Sequence, residues 1–186
     1  MEQNEILALD KNTFNGLTNL KEINLWKNLI HEIDRDMFKG LHKLEILYLG
    51  CNKLVRLDKE VFSGLTNLKQ LCLDRNKLSH LDKDIFKGLF NLSLIDLSRN
   101  LLTSLDGEIF KDSNKLTRIG LFRNKLTSLD KNIFKDMHRL ERVEMHANDF
   151  DLDVIELIIE SNVKFISFRD NPFSNDIGHI VSPVSI

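Results

Sequence analysis

Two sets of charged residues in this sequence recur at one fixed spacing. Arg75, Arg99 and Arg123 stand 24 residues apart, and Lys27 falls on the same line. If equal spacing in sequence becomes stacking in space, they form a cationic ladder. Such a ladder suits an acidic protein patch or a sulfated glycan. Asp74 and Asp96 lie close enough to neutralise part of it. The second set is Asp10, Asp34, Asp58, Asp82, Asp106 and Asp130. A catalytic acid and base must converge on one reacting bond. These carboxylates instead occur once per period, which fits backbone caps. Cys51, Cys72 and six scattered histidines show no partner at metal-ligand spacing. There is no phosphate-binding glycine loop, no G-x-S-x-G and no H-E-x-x-H. The sequence therefore predicts no metal, no cofactor and no enzyme activity.

The stretch that must hold these residues in line is Leu68 to Asn91, LKQLCLDRNKLSHLDKDIFKGLFN. Shifted by 24 residues in either direction, its leucines, Asn76 and Phe86 find close matches. A fixed period of this length marks a repeat architecture. One domain over 1–186 is expected, beginning with a partial repeat at 1–19. Repeats follow at 20–43, 44–67, 68–91, 92–115, 116–139 and 140–162. A last partial repeat with an atypical end covers 163–186.

Within each repeat, L-x-x-L-x-L ends in alternation, which suits a short strand buried on one face. Neighbouring repeats would stack these strands in parallel. The column Asn28, Asn52, Asn76, Asn100, Asn124 and Asn148 follows each strand, where a buried amide can satisfy a turn and the next repeat together. The column Phe14, Phe38, Phe62, Phe86, Phe110 and Phe134 is expected to fill the far side of the core. The Asp column would cap short helical turns, which Gly16, Gly40, Gly64 and Gly88 would end. One unit cannot bury its own apolar face, so stability must come from neighbours.

The pattern L-x-x-L-x-L-x-x-N-x-L-x-x-L-x-x-x-x-F-x-x-L resembles the leucine-rich repeat superfamily in its typical 24-residue class, over about residues 4 to 173. The resemblance implies an α/β solenoid: a right-handed β-α horseshoe with a parallel concave sheet and short helical or irregular convex segments. Similar repeats occur in Toll-like receptors, Slit proteins and small leucine-rich proteoglycans. These are mostly secreted or cell-surface binding modules. The ends depart from those families. Asn171-Pro172-Phe173 is similar to the opening of a C-terminal cap, but the cysteines expected after it are replaced. Val154, Ile155, Ile158 and Ile159 stand at helical spacing behind a capping box of Asp153 and Glu156. They predict a helix over 153–162. No cap precedes the first repeat, and the simplest expectation is a fragment of a longer product.

The x positions of the strand segment point outward, in columns that vary while the leucines do not. Candidate ligand-binding residues on the concave face are Trp26, Ile46, Tyr48, Leu94 and Phe122, with Arg75, Arg99 and Arg123 of the ladder. Trp26, Ile46 and Tyr48 are expected to form an exposed aromatic patch, of the kind that anchors interfaces. Cys51 and Cys72 fall on adjacent strands, three positions out of line. Their Cα atoms would lie roughly 11 Å apart, beyond the ~7 Å reach of a disulfide. Free thiols are expected. The one glycosylation sequon, Asn91-Leu92-Ser93, carries little weight among so many asparagines.

Composition fits this reading. The chain has 186 residues, 42% hydrophobic and 29% charged, with a net charge of -2. That balance gives no general pull toward nucleic acid or anionic membrane. No apolar run is long enough to cross a membrane, and no signal peptide is visible. The expectation is a binding module for a protein ligand, extracellular or at the cell surface. The alternative is a cytoplasmic leucine-rich repeat scaffold, favoured by the free thiols and the missing cysteine caps.

Overall fold

The computed structural model describes residues 4–151, 153–154, 163–167 and 169–172. Among the described residues, seven short strands form one parallel sheet. They are β1 (Glu22–Asn24), β2 (Ile46–Tyr48), β3 (Gln70–Cys72), β4 (Leu94–Asp96), β5 (Arg118–Gly120), β6 (Arg142–Glu144) and β7 (Phe165–Ser167). Their spatial order is their sequence order. Register follows the period: Leu47 pairs with Ile23 and Leu71, and Tyr48 with Asn24 and Cys72. Each strand therefore contacts only the repeats before and after it, as a solenoid requires.

Burial follows the alternation. The middle residue of every strand is buried, from Ile23 to Ile166. In the central repeat Leu68, Leu71, Leu73, Leu78 and Leu89 are fully enclosed. Phe14, Phe38, Phe62, Phe86 and Phe110 stack ring over ring, with centroids 5.8–6.4 Å apart. Phe134 is only half-buried. One core column escaped the sequence pattern: Met37, Val61, Ile85, Ile109 and Ile133, each just before its Phe, are all buried. Changing residue type along this column hides it from a search for repeated leucines.

The side opposite the sheet is expected to carry short helical or irregular segments, and it carries the irregular form. The short helical segments are absent among the described residues, and runs of turns replace them. Met37 N–H bonds Asp34 O at 3.0 Å, Leu41 N–H bonds Phe38 O at 3.2 Å, and later repeats copy this. Each Asp does cap, by accepting from the backbone N–H two residues on, as Asp58 does from Glu60 at 2.9 Å. Gly16, Gly40, Gly64 and Gly88 end the runs with φ near +80°. So few residues separate cap from glycine that a helix would hardly outgrow its nucleus, and turn bonds satisfy the same groups. The helix expected over 153–162 lies outside the described residues, apart from Asp153 and a buried Val154.

The asparagine column ties the repeats together. Asn76 Nδ2 donates to Leu73 O in its own repeat and to Leu49 O in the one before, both at 3.0 Å. Its Oδ1 accepts from Leu54 N–H at 3.0 Å. The same bonds recur from Asn52 to Asn148, and Asn171 continues them against Met145 O and Phe150 N–H. Asn76→Ala leaves the buried Leu54 N–H without its acceptor, at about 1–3 kcal/mol, while Leu49 O keeps Asn52 Nδ2 and Leu73 O keeps Asn100 Nδ2. The expected loss is about 1–3 kcal/mol, read from the midpoint of a urea unfolding curve against wild type.

Candidate functional site

Strand pleating turns one residue set away from the core. On β1 to β4 these are Glu22 and Asn24, Ile46 and Tyr48, Gln70 and Cys72, and Leu94 and Asp96. The backbone ladder continues beyond the strands, since Leu25 N–H bonds Tyr48 O and Lys27 N–H bonds Gly50 O. Positions two and three residues past each strand are therefore also in line. Of the residues predicted to bind, Trp26, Ile46, Tyr48, Leu94, Arg99 and Phe122 are half-buried, and Arg75 and Arg123 are exposed.

Along the sheet face these residues fall into two groups. The first holds Trp26, Ile46 and Tyr48. Trp26 lies across Gly50, where an added Cβ would meet Trp26 Cδ1 at 3.0 Å and Asp74 Oδ1 at 2.2 Å. Gly50 is thus the floor on which the indole rests. Lys27 Nζ sits 5.9 Å from the indole centroid. Tyr48 Oη reaches Gln70 Oε1 at 3.5 Å, and burial pushes its hydroxyl pKa up.

The second cluster runs through Arg99, Phe122 and His146, while Leu94 lies apart at the start of β4, in register with Gln70 and Arg118. The Arg99 guanidinium lies 5.6 Å from the Phe122 ring, and Phe122 stacks on His146 with centroids 4.7 Å apart. Burial lowers the His146 pKa, which favours the neutral ring, and Nδ1 is 3.2 Å from Ser167 Oγ. Arg142 covers Phe165 at 4.1 Å. His146, Arg142 and Phe165 were not among the predicted residues. The signal was there, since His146 shares the column of Trp26 and Phe122.

Between the clusters the face is polar. Cys72, Asp74, Asp96 and Ser98 come together around β3 and β4. Burial, with Asp96 and Asp74 nearby, pushes the Cys72 thiol up to about 12. Burial also raises the Asp74 pKa, Asp96 adds to the shift, and Arg75 opposes it. Ser98 Oγ is buried with no hydrogen-bond partner among the described residues. Cys51 and Cys72 are free thiols.

Arg75, Arg99 and Arg123 do form a ladder, on a backbone conformation that the sequence did not reveal. Lys27, Cys51, Arg75, Arg99, Arg123, Ala147 and Asp170 all have φ between 53° and 59°. The left-handed region costs an L-residue roughly 1–2 kcal/mol. Here it lets each chain turn so that the next residue, the column Asn, can enter the core. Like-charge crowding is visible at Arg99, whose pKa is lowered by desolvation and then by Arg75 and Arg123. Arg75 Nε lies 3.8 Å from Asp74. No group of three or more metal-ligating side chains is found among the described residues.

With the geometry in place, comparisons with known proteins identify the family. The leucine rich repeat model matches residues 1–50, 43–102 and 90–150. The chain belongs to the leucine-rich repeat family. A leucine-rich repeat protein of Leptospira interrogans is similar in structure, with a TM-score of 0.77 and 31% identity over 89% of this chain and 41% of that one. A crystal structure of a TLR13–ssRNA13 complex has a TM-score of 0.72 and 23% identity over 91% of this chain and 28% of that one. The chain thus spans less than half the length of either. A comparison with curated proteins finds no match.

Two predictions follow from the polar strip and its glycine floor. Gly50→Ala drives a methyl into Asp74 and Trp26, with an expected cost of about 1–3 kcal/mol. Because the chain has a single Trp, its fluorescence maximum should shift as the indole lifts off. A shift in stability without one in emission would contradict the packing. For Asp74, the raised folded-state pKa sets the sign. Its stabilising contribution is complete below the unfolded value of about 4 and is lost as pH rises through the folded value. Asp74→Asn should therefore raise the melting temperature at pH 7, and the gain should close as pH falls below 4.

Proposed function

We propose that this chain is a non-enzymatic binding module that takes an acidic protein ligand on the outward, concave face of its sheet, as part of a secreted or cell-surface protein. One observation carries the reading. The inward residues repeat from strand to strand, while the outward ones, apart from the pair Arg118 and Arg142, change type from rung to rung and lie outside the buried core. Trp26, Ile46 and Tyr48 offer half-buried aromatic and aliphatic surface. Large rigid side chains of this kind carry most of the energy in protein interfaces. The arginine ladder beside them supplies steering and register more than affinity.

A similar solenoid holds RNA in the TLR13–ssRNA13 complex. Here Asp74 and Asp96 interrupt the positive field on the same face, which fits a protein with a local acidic patch better than a polyanion. A cytoplasmic scaffold is the second reading, and the free thiols Cys51 and Cys72 favour it.

The test is a pair of variants assayed against a partner purified on the wild-type chain. Trp26→Ala with Tyr48→Ala should weaken the partner at least tenfold, by about 1.4 kcal/mol or more. Replacing Arg75, Arg99 and Arg123 by Gly removes the charge where Gly relieves the backbone, so stability should hold within about 1 kcal/mol per site. That variant should lose affinity and salt dependence together. Unchanged affinity in the aromatic pair would remove the concave-face reading. A partner consisting of sulfated glycan, bound through the arginines alone, would replace the protein ligand.

A further inference from the structure

We infer that the recess around Cys51 is an oxyanion site, taking a phosphoryl or sulfuryl group carried on a side chain of the partner. The inference rests on the reading of the ladder as the edge that meets an acidic partner, and it narrows that partner's chemistry at one rung.

The ladder runs Lys27, Cys51, Arg75, Arg99, Arg123, and Cys51 is the rung without a cation. Its place between two charged rungs is fixed by the backbone. Lys27 N–H bonds Gly50 O at 3.0 Å, and Cys51 N–H bonds Asp74 O at 2.8 Å. A thiol is far shorter than lysine or arginine, so its rung is set back between two long cationic side chains. The result is a cleft of about 560 Å³, lined by Lys27, Cys51, Lys53 and Arg75, with Asn4 and Glu5 on its wall. Lys53 closes it from the next column, just past Asn52.

Among the ion pairs of the described residues, none involves the two lysines there, Lys27 and Lys53, although Lys27 lies 5.9 Å from the Trp26 ring centroid. Arg75 meets Asp74 only at 3.8 Å. Three cations thus face one recess, against the carboxylates of Glu5 and Asp74. Burial raises the Cys51 pKa and the Asp74 carboxylate adds to the rise, while Arg75, Lys27 and Arg99 oppose it, so the cations of the edge reach the thiol in competition with one carboxylate.

The number of cations selects the ligand. A carboxylate has two oxygens to share, whereas a phosphate or sulfate monoester presents three around one centre. Arginine meets two of these oxygens side by side, and each lysine serves as a point charge for the third or for bridging. A volume of about 560 Å³ leaves room for the side chain that carries the group.

Cys51 itself reports on the site. The wild-type chain is treated with sulfonatoethyl methanethiosulfonate or its trimethylammonium-ethyl analogue, and modification at each cysteine is followed by peptide mass. Cys72, on β3 and outside the cleft, serves as the comparison. The anionic reagent should modify Cys51 about tenfold faster than the cationic one, relative to their rates at Cys72. Inorganic phosphate or sulfate at millimolar concentration should slow modification of Cys51, with acetate at equal ionic strength having no such effect. Lys27→Gln with Lys53→Gln should abolish both the preference and the protection. Protection by phosphate alone points to a phosphorylated side chain, and by sulfate alone to a sulfated one. Equal rates for the two reagents would overturn the site. So would an anionic preference without protection by either ion, since that is a field with no bound oxyanion. If the ions protect Cys51 while the arginine variants keep full partner affinity, the partner reading fails and the oxyanion site stands.

Discussion

Each column asparagine is a buried amide placed where two turns of chain would otherwise leave backbone groups without partners. A three-residue strand offers few ladder bonds, and an isolated parallel ladder this short has little stability of its own. The amide makes up the difference by spanning repeats. Asn100 Nδ2 donates to Leu97 O at 2.9 Å and to Leu73 O at 3.0 Å, while Oδ1 accepts from Leu78 N–H at 3.0 Å. Only a side chain with donors and an acceptor at that reach can serve both ends. Apolar packing and ring stacking then act on a register that these bonds have already set.

The same constraint shapes the surface. To bring the asparagine inward, the preceding residue must adopt positive φ, whatever its type. Lysine, cysteine, arginine, alanine and aspartate all comply. The strain is tolerated because the turn is over-determined by buried amide bonds on both sides. A charged residue at this position is therefore presented at a fixed angle, one rung per repeat. Where a short thiol takes the place of a cation, the regular edge becomes a recess. The glycines at 50 and 120 have a comparable effect on the sheet face. Without a Cβ, Gly50 admits Trp26 and Asp74 over it, and Gly120 admits Asp96 and Ser98.

Much of the fold could be read from spacing alone. A period of 24 residues carrying seven to ten buried side chains leaves little choice of topology, and every strand falls on the segment that carries the alternation. The column Met37, Val61, Ile85, Ile109 and Ile133 was not legible, because conserved volume without conserved type leaves no repeated letter. The helical turns expected behind the Asp caps gave way to plain turns, since a cap and a glycine signal where a segment starts and stops but not how tightly it winds. The candidate site was legible as columns and not as contacts. Sequence put Trp26, Tyr48, Leu94 and Phe122 on one face. Which of them touch depends on the glycines and carboxylates between.

By itself, the sequence determined the period, the parallel order of the strands, the inward and outward sets, and the alignment of Arg75, Arg99 and Arg123. These follow from periodicity, which needs no knowledge of atoms. Tertiary structure alone decided the rest. It separated the aromatic residues into two clusters across a polar strip, and stacked Phe122 on His146. It raised Asp74 and Cys72 by burial beside Asp96. It set Cys51 between Lys27 and Arg75, with Lys53 closing the recess. Each of these depends on distances between side chains of different repeats, and on how deeply the stack withdraws them from water. A one-dimensional pattern fixes neither.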